Sequence, residues 1–157
     1  MPDFIIRPGR SADVPDIARM LLASAMSQGA PEALCVDAAD LRREGFGEVP
    51  RFHTLVADAD GAIVGLALFT FNFSTWTSVN GLHLEDLYVE PEWRRHGVAR
   101  RLMHELAGVA RTEGCRRLRW FVLRSNGSAR RFYESIGGEV LGEWMYMQMD
   151  PTKDAQP

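Results

Sequence analysis

Two long apolar runs, Phe52 to Ala57 and Ala62 to Phe73, flank Asp58-Ala59-Asp60-Gly61, and this pattern constrains the fold more than any other part of the chain. Asp60-Gly61 supplies the positive backbone dihedrals of a tight turn, so the runs read as a hairpin. Gly81 to Val89 adds a further strand. After Pro91, the loop Glu92 to Gly97 leads into a helix whose buried face is marked by Leu102, Leu106, Val109 and Ala110, with Gly114 closing it. Arg117 to Leu123, holding Trp120, Phe121 and Val122, reads as a buried strand. Ser125-Asn126 can cap a helix to about Ile136, and Val140 to Met149 reads as a last strand. Upstream, Phe4 to Ile6 is a short strand, and Ser11 caps a helix with the stripe Val14, Ile17, Ala18, Leu21, Leu22 and Ala25. A short helix follows near Asp37 to Glu44. The order implies an α/β fold with a mixed sheet.

A chain of 157 residues with 46% apolar composition builds one domain with a real core, here residues 1–149, followed by a polar tail, 150–157. The net charge is -3, and Arg94, Arg95, Arg100 and Arg101 form the main basic cluster, which argues against nucleic acid as a partner. Cys35 and Cys115 are too few and too far apart for a disulfide framework or a zinc knuckle, so no metal is implied. The longest apolar stretch, Ala62 to Phe73, contains Gly65 and is too short to span a bilayer. Met1 to Arg7 lacks the pattern of a secretory leader. A soluble, cytoplasmic protein without membrane contact is expected.

The segment that carries chemistry is Arg94-Arg95-His96-Gly97-Val98-Ala99, between a strand and a helix start. Amides of a first helical turn point outward and favour an anion such as pyrophosphate. Gly97 and Ala99 let phosphate oxygens approach the backbone, and Arg94, Arg95 and Arg100 can add charge-assisted contacts. Arg-x-x-Gly-x-Gly/Ala arises by chance about 0.3 times in a chain of this composition, so the loop alone is equally compatible with solvated arginines. No Gly-Lys-Ser/Thr is present, which excludes a P-loop hydrolase.

Leu87-Tyr88-Val89 followed by Arg94-x-x-Gly97-x-Ala99 resembles the acetyl-CoA signature of the GCN5-related N-acetyltransferase (GNAT) superfamily. Ile6-Arg7-Pro8, Gly45-Phe46-Gly47-Glu48, Leu84-Glu85-Asp86-Leu87 and Trp120-Phe121-Val122-Leu123 resemble its diamine (spermidine/spermine-type) acetyltransferase branch, up to about Met149. The resemblance implies a GNAT-like, mostly antiparallel central sheet flanked by helices in a single domain. Two positions depart from that branch: Gln28 stands where it tends to carry a substrate-facing glutamate, and Ser74 where it tends to carry an aspartate before Trp76.

What the resemblance implies is acetyl transfer from acetyl-CoA to the primary amine of a small molecule, a diamine or polyamine among the options. Leu87, Tyr88, Val89, Arg94, Arg95, His96, Gly97, Val98, Ala99, Arg100, Asn126 and Tyr133 would hold acetyl-CoA, with the Val89 amide polarising the thioester carbonyl. An alkylamine with a pKa of about 10.4 is protonated at neutral pH, so a base is needed. Glu85 takes that role through water, and Asp86 attracts a second ammonium group. Consecutive on a strand, the two are expected on opposite faces. Tyr133 protonates the departing thiolate. Trp76 and Trp144 are candidate walls of the amine pocket. A homodimer paired through C-terminal strands is also implied. The other readings are a GNAT enzyme for lysine, thialysine, an aminoglycoside or a protein N-terminus, and a non-catalytic acyl-CoA-binding module.

Overall fold

The computed structural model describes residues 3–152, so of the polar tail expected from Asp150, Lys153 onward lies outside the described residues. The chain divides into two compact units, Met1–Phe121 and Val122–Pro157. The first holds β1 (Ile5–Pro8), α1 (Val14–Ser27), α2 (Ala38–Phe46), β2 (His53–Ala59), β3 (Ala62–Ser74), β4 (Val79–Val89), α3 (Val98–Thr112) and β5 (Leu118–Trp120). Its five strands lie side by side in chain order, antiparallel from β1 to β4 and parallel between β4 and β5. The expected α/β architecture, a mostly antiparallel mixed sheet flanked by helices, is the one observed.

Local chemistry sets the element ends. Asp60 and Gly61 turn the β2–β3 hairpin with φ of 51° and 88°, and the Gly61 amide donates to Asp58 Oδ1 at 2.7 Å. Asp37 caps α2 by accepting from the Asp40 amide at 2.8 Å. α3 stops where Gly114 takes a φ of 69°, which lets the Cys115 amide reach back to the Ala110 carbonyl at 2.8 Å.

Residues paired across antiparallel strands share a face. Val56, Leu66, Leu68 and Tyr88 form one face and pack with Val14, Ile17, Met20, Leu21 and Leu41 of α1 and α2. Ala57, Gly65 and Val89 form the other, where α3 comes so near that a Cβ on Gly65 would stand 2.9 Å from Val98 Cγ1. Leu66, Leu102 and Leu106 are fully buried, each contributing about 2 kcal/mol of apolar transfer.

Several expectations are corrected. In α1 the buried stripe includes Met20, whereas Leu22 faces solvent, because the helix presents a narrower arc to the sheet than its apolar residues allow. Ser11 opens a 3-10 turn, Ser11–Asp13, and Asp13 stands at the N-cap of α1. The strand expected over Arg117 to Leu123 is only Leu118–Trp120, and Phe121 is exposed. Val140 to Met149 forms no strand. Its unit contains α4 (Gly127–Ser135) and no strand among the described residues to pair with it, and an unpaired strand leaves its ladder groups to water.

An ion cluster joins β1, the start of α1 and the hairpin. The Arg7 guanidinium donates to Asp13 at 2.8 and 3.0 Å and to Asp58 at 2.7 Å, and the Arg10 amide adds a bond of 2.7 Å to Asp13. Hydrogen bonding to Arg7 holds both carboxyls below the usual range and raises the guanidinium. Arg7→Leu leaves two largely buried carboxylates facing one another and is expected to cost about 2 kcal/mol of stability, measured by urea unfolding at pH 7. Because both folded pKa values are depressed, this stabilisation is present above the unfolded carboxylate range and is lost as pH falls through the folded values. The gap between variant and parent should therefore close below about pH 4; equal stability at pH 7 would show the cluster contributes nothing.

Candidate active site

Strand β4 carries the acidic pair, and its pairing is irregular there. Leu68 faces Asp86 while the next residue, Phe69, faces Leu84, so Glu85 is an extra residue bulged from the ladder. The bulge cancels the alternation that would send Glu85 and Asp86 to opposite faces. Asp86 shares the face of Leu68, and Glu85 Oε1 lies 3.6 Å from Nε2 of His83, which shares the face of Thr70. Both carboxylates are thus offered to one face, the side on which α1 packs. Burial, and secondarily the charge of Glu85, pushes the Asp86 carboxyl up to about 6.

The bulge also resets the direction of the backbone groups. The Leu82 amide donates toward β5, to the Arg117 carbonyl at 2.9 Å, whereas the Glu90 amide donates toward β3, to the Val64 carbonyl at 3.0 Å. Counting back from Glu90, the Val89 N–H and C=O lie on the edge turned away from β3. The last β4–β5 pair is Leu84 with Trp120, so this edge lies beyond β5. There Arg94 Nε donates to the Val89 carbonyl at 3.0 Å, with its guanidinium 5.6 Å from the centre of the Tyr88 ring.

After a 3-10 turn over Pro91–Trp93, Arg95 and Gly97 adopt φ of 65° and 83° and swing the chain into α3. Gly97 is the N-cap, and the Arg101 amide donates to its carbonyl at 2.9 Å. The amides of Val98, Ala99 and Arg100 precede that first helical bond and point out of the helix start. A Cβ on Gly97 would meet nothing within 4 Å, so the approach is open. His96 Nδ1 is buried with no hydrogen-bond partner among the described residues. Outward amides, flanking guanidiniums and open space suit a phosphate group.

In the second unit Asn126 caps α4, its Oδ1 accepting from the Ala129 amide at 3.1 Å. That use leaves the amide hydrogens of Asn126 as its donors to a ligand. Tyr133 lies on α4 with its ring 5.2 Å from that of Phe132, and burial pushes its phenol up to about 12. Trp144 helps line a small hollow of about 190 Å³ with residues 139–143. Among the described residues no group of three or more His, Cys, Asp or Glu is gathered to hold a metal, and no helix is long and apolar enough to cross a membrane. Cys35 and Cys115 are free thiols.

Residues 18–138 match the family described as the acetyltransferase (GNAT) family. The chain belongs to the GNAT acetyltransferase family. This GNAT protein is 36% identical to the thialysine N-epsilon-acetyltransferase of Sus scrofa over 91% of its own length and 88% of that enzyme. It is 31% identical to the Homo sapiens spermidine/spermine N(1)-acetyltransferase-like protein 1 over 87% of its length and 21% of that protein. The diamine-branch resemblance is thereby borne out, and the protein is an acyltransferase. Its fold is that of an integron cassette protein from V. cholerae, at a TM-score of 0.79 and 24% identity over 97% of this chain and 94% of the other.

One part of the acyltransferase escaped the sequence reading. A groove of about 540 Å³ runs over the outer end of β3, β4 and β5, lined among others by Asn72, Trp76, His83, Arg117, Arg119 and Phe121. Trp76 was expected in a pocket wall, whereas Arg117 and Arg119 were read only as part of a buried strand. Their spacing of two carried the signal, since in extended chain it puts Arg117, just before β5, on the same face as Arg119.

Proposed function

We propose that this GNAT enzyme transfers the acetyl group of acetyl-CoA to a primary amine of a small molecule. The observation that carries the reading is the bulge at Glu85, which offers two carboxylates on one face of the strand that runs into the Arg94–Ala99 loop. In this reading residues 87–89 and the loop bind acetyl-CoA in the first unit. Asn126 and Tyr133 are assigned to the same cosubstrate on the resemblance, and the family match, which runs across both units, supports treating residues 1–149 as one domain.

The acceptor's ammonium first gives up a proton through water to Glu85, and the freed amine nitrogen attacks the thioester carbonyl carbon to form the C–N bond, while the Val89 amide steadies the oxygen of the tetrahedral adduct. The C–S bond then breaks, Tyr133 donates its proton to the thiolate, and the surplus proton on nitrogen restores the Tyr133 phenol. Asp86 attracts a further positive group on the acceptor, and Trp76 and Trp144 are assigned to its walls. We also propose a homodimer: Val140, Trp144, Met145, Tyr146, Met147 and Met149 are large apolar side chains left exposed in the single chain. Sedimentation of the protein as a monomer at micromolar concentration would remove that part of the reading.

The test is thiol release from acetyl-CoA against lysine, thialysine, spermidine, putrescine, aminoglycosides and short peptides at mildly alkaline pH. Turnover on an amine class supports the reading, and silence with every amine while acetyl-CoA binds overturns it. The relatives that are thialysine acetyltransferases favour an amino-acid acceptor within the panel. Gly97→Val probes the loop separately. A β-branched residue at that φ carries about 1–3 kcal/mol of strain, and with nothing nearby to clash, the strain falls on the backbone that faces the phosphates. Calorimetry should give an acetyl-CoA Kd raised about tenfold or more; an unchanged Kd would place the phosphates elsewhere.

A further inference from the structure

We propose that the groove at the outer end of β3, β4 and β5 is a carboxylate subsite for the acceptor, with Arg119 and Arg117 as specificity-determining residues. The acetylated amine is then the terminal amine of a lysine-like amino acid rather than one end of a diamine. This rests on the reading above that Glu85 receives the acceptor's proton.

Register places the parts. Thr70 and Arg119 both stand beside His83, on the face that carries Asp86, and His83 Nε2 is the atom 3.6 Å from Glu85 Oε1. The His83 ring packs at 5.1 Å from Phe121, so one continuous surface runs from the proposed base to the groove. With a strand rise near 3.3 Å and strand spacing near 4.8 Å, the Arg119 backbone stands roughly 8 Å from that of Glu85. An extended lysine side chain separates its amine from its carboxylate by a similar span.

Charge selects between acceptors. The groove lining contains Arg117, Arg119 and His83 and no carboxylate, Ser74 at its rim included. Among the described residues neither Arg117 nor Arg119 has an ion-pair partner, although arginines elsewhere, such as Arg7, Arg19 and Arg43, are paired. Two guanidiniums without a counter-charge repel the distal ammonium of a diamine and suit the forked geometry of a carboxylate.

The experiment compares acceptors that differ only by the carboxylate: lysine with cadaverine, and thialysine with bis(2-aminoethyl) sulfide. The parent enzyme is expected to favour each amino acid in kcat/KM by about tenfold or more. Arg119→Gln should raise KM for the amino acids about 10- to 100-fold while kcat holds, and leave KM for the diamines unchanged or lower. Retained diamine turnover shows that the variant is folded, and Arg117→Gln should act in the same sense. A parent enzyme that prefers the diamines, or an Arg119→Gln effect equal on both members of a pair, would overturn the subsite. Acetylation confined to amines outside both pairs overturns the subsite and spares the proposed function. Silence with every amine overturns both.

Discussion

Replacing Tyr133 by phenylalanine is expected to lower kcat about 100-fold while acetyl-CoA binds as tightly as to the parent enzyme. The ring is kept, so its contact with Phe132 survives and only the hydroxyl is lost. Burial pushes that phenol up to about 12, which holds it in the donor form through neutral and mildly alkaline pH. In the proposed mechanism a thiolate leaving beside this phenol would meet the same desolvation, which raises its pKa and lets it accept the proton more readily. Steady-state rates and calorimetry check the result together. Unchanged kcat would make Tyr133 a packing residue, and a kcat loss matched by weakened binding would make it a binding residue.

Glu85→Gln is expected to reduce kcat/KM for the acceptor by about 100-fold near pH 7.5. Without a base the reaction depends on the free amine alone, which is about one part in a thousand for an alkylamine pKa near 10.4. The variant's rate should therefore climb about tenfold per pH unit toward that value. A second signature lies at acid pH. Asp86, raised to about 6, carries its charge only above that pH, so amine affinity should weaken as pH falls through 6. Since part of that rise comes from the charge of Glu85, the same variant should move the acid limb in KM to lower pH. The sign for stability is opposite: an acid whose folded pKa is raised favours the fold below its unfolded pKa, and that contribution is lost as pH rises through about 6. A variant with the parent's rate and profile would return Glu85 to a solvated surface position.

The parts of this structure legible in the sequence are those fixed by short-range chemistry. Asp60-Gly61 specified its turn, Ser125-Asn126 the cap of α4 and Gly114 the end of α3. What escaped depends on partners distant in sequence. Nothing in Leu84-Glu85-Asp86-Leu87 announces a bulge, which exists only against Leu68 and Phe69 of β3. Met20 and Leu22 are equally apolar, and only the direction from which the sheet approaches α1 decides which is buried. The alternation of Val140 to Met149 reads as a strand, but alternation supplies no neighbour. Arg117 and Arg119 were visible at strand spacing, yet only the ends of β3 and β4 brought beside them by the sheet make a groove.

The bulge at Glu85 also acts as a change of phase. Upstream of it, even-numbered residues turn their amides toward β5, and downstream odd-numbered ones do, which is how Leu82 and Val89 come to address the same edge. The chemistry of the strand is therefore locked to its length as well as to its side chains. Between Leu84 and Glu90 the acids and the buried Leu84, Tyr88 and Val89 keep their identities for packing or chemistry, but their count matters as much. Loss or gain of one residue there would exchange the inner and outer amides, so a family of such enzymes should forbid odd-numbered gaps in this segment.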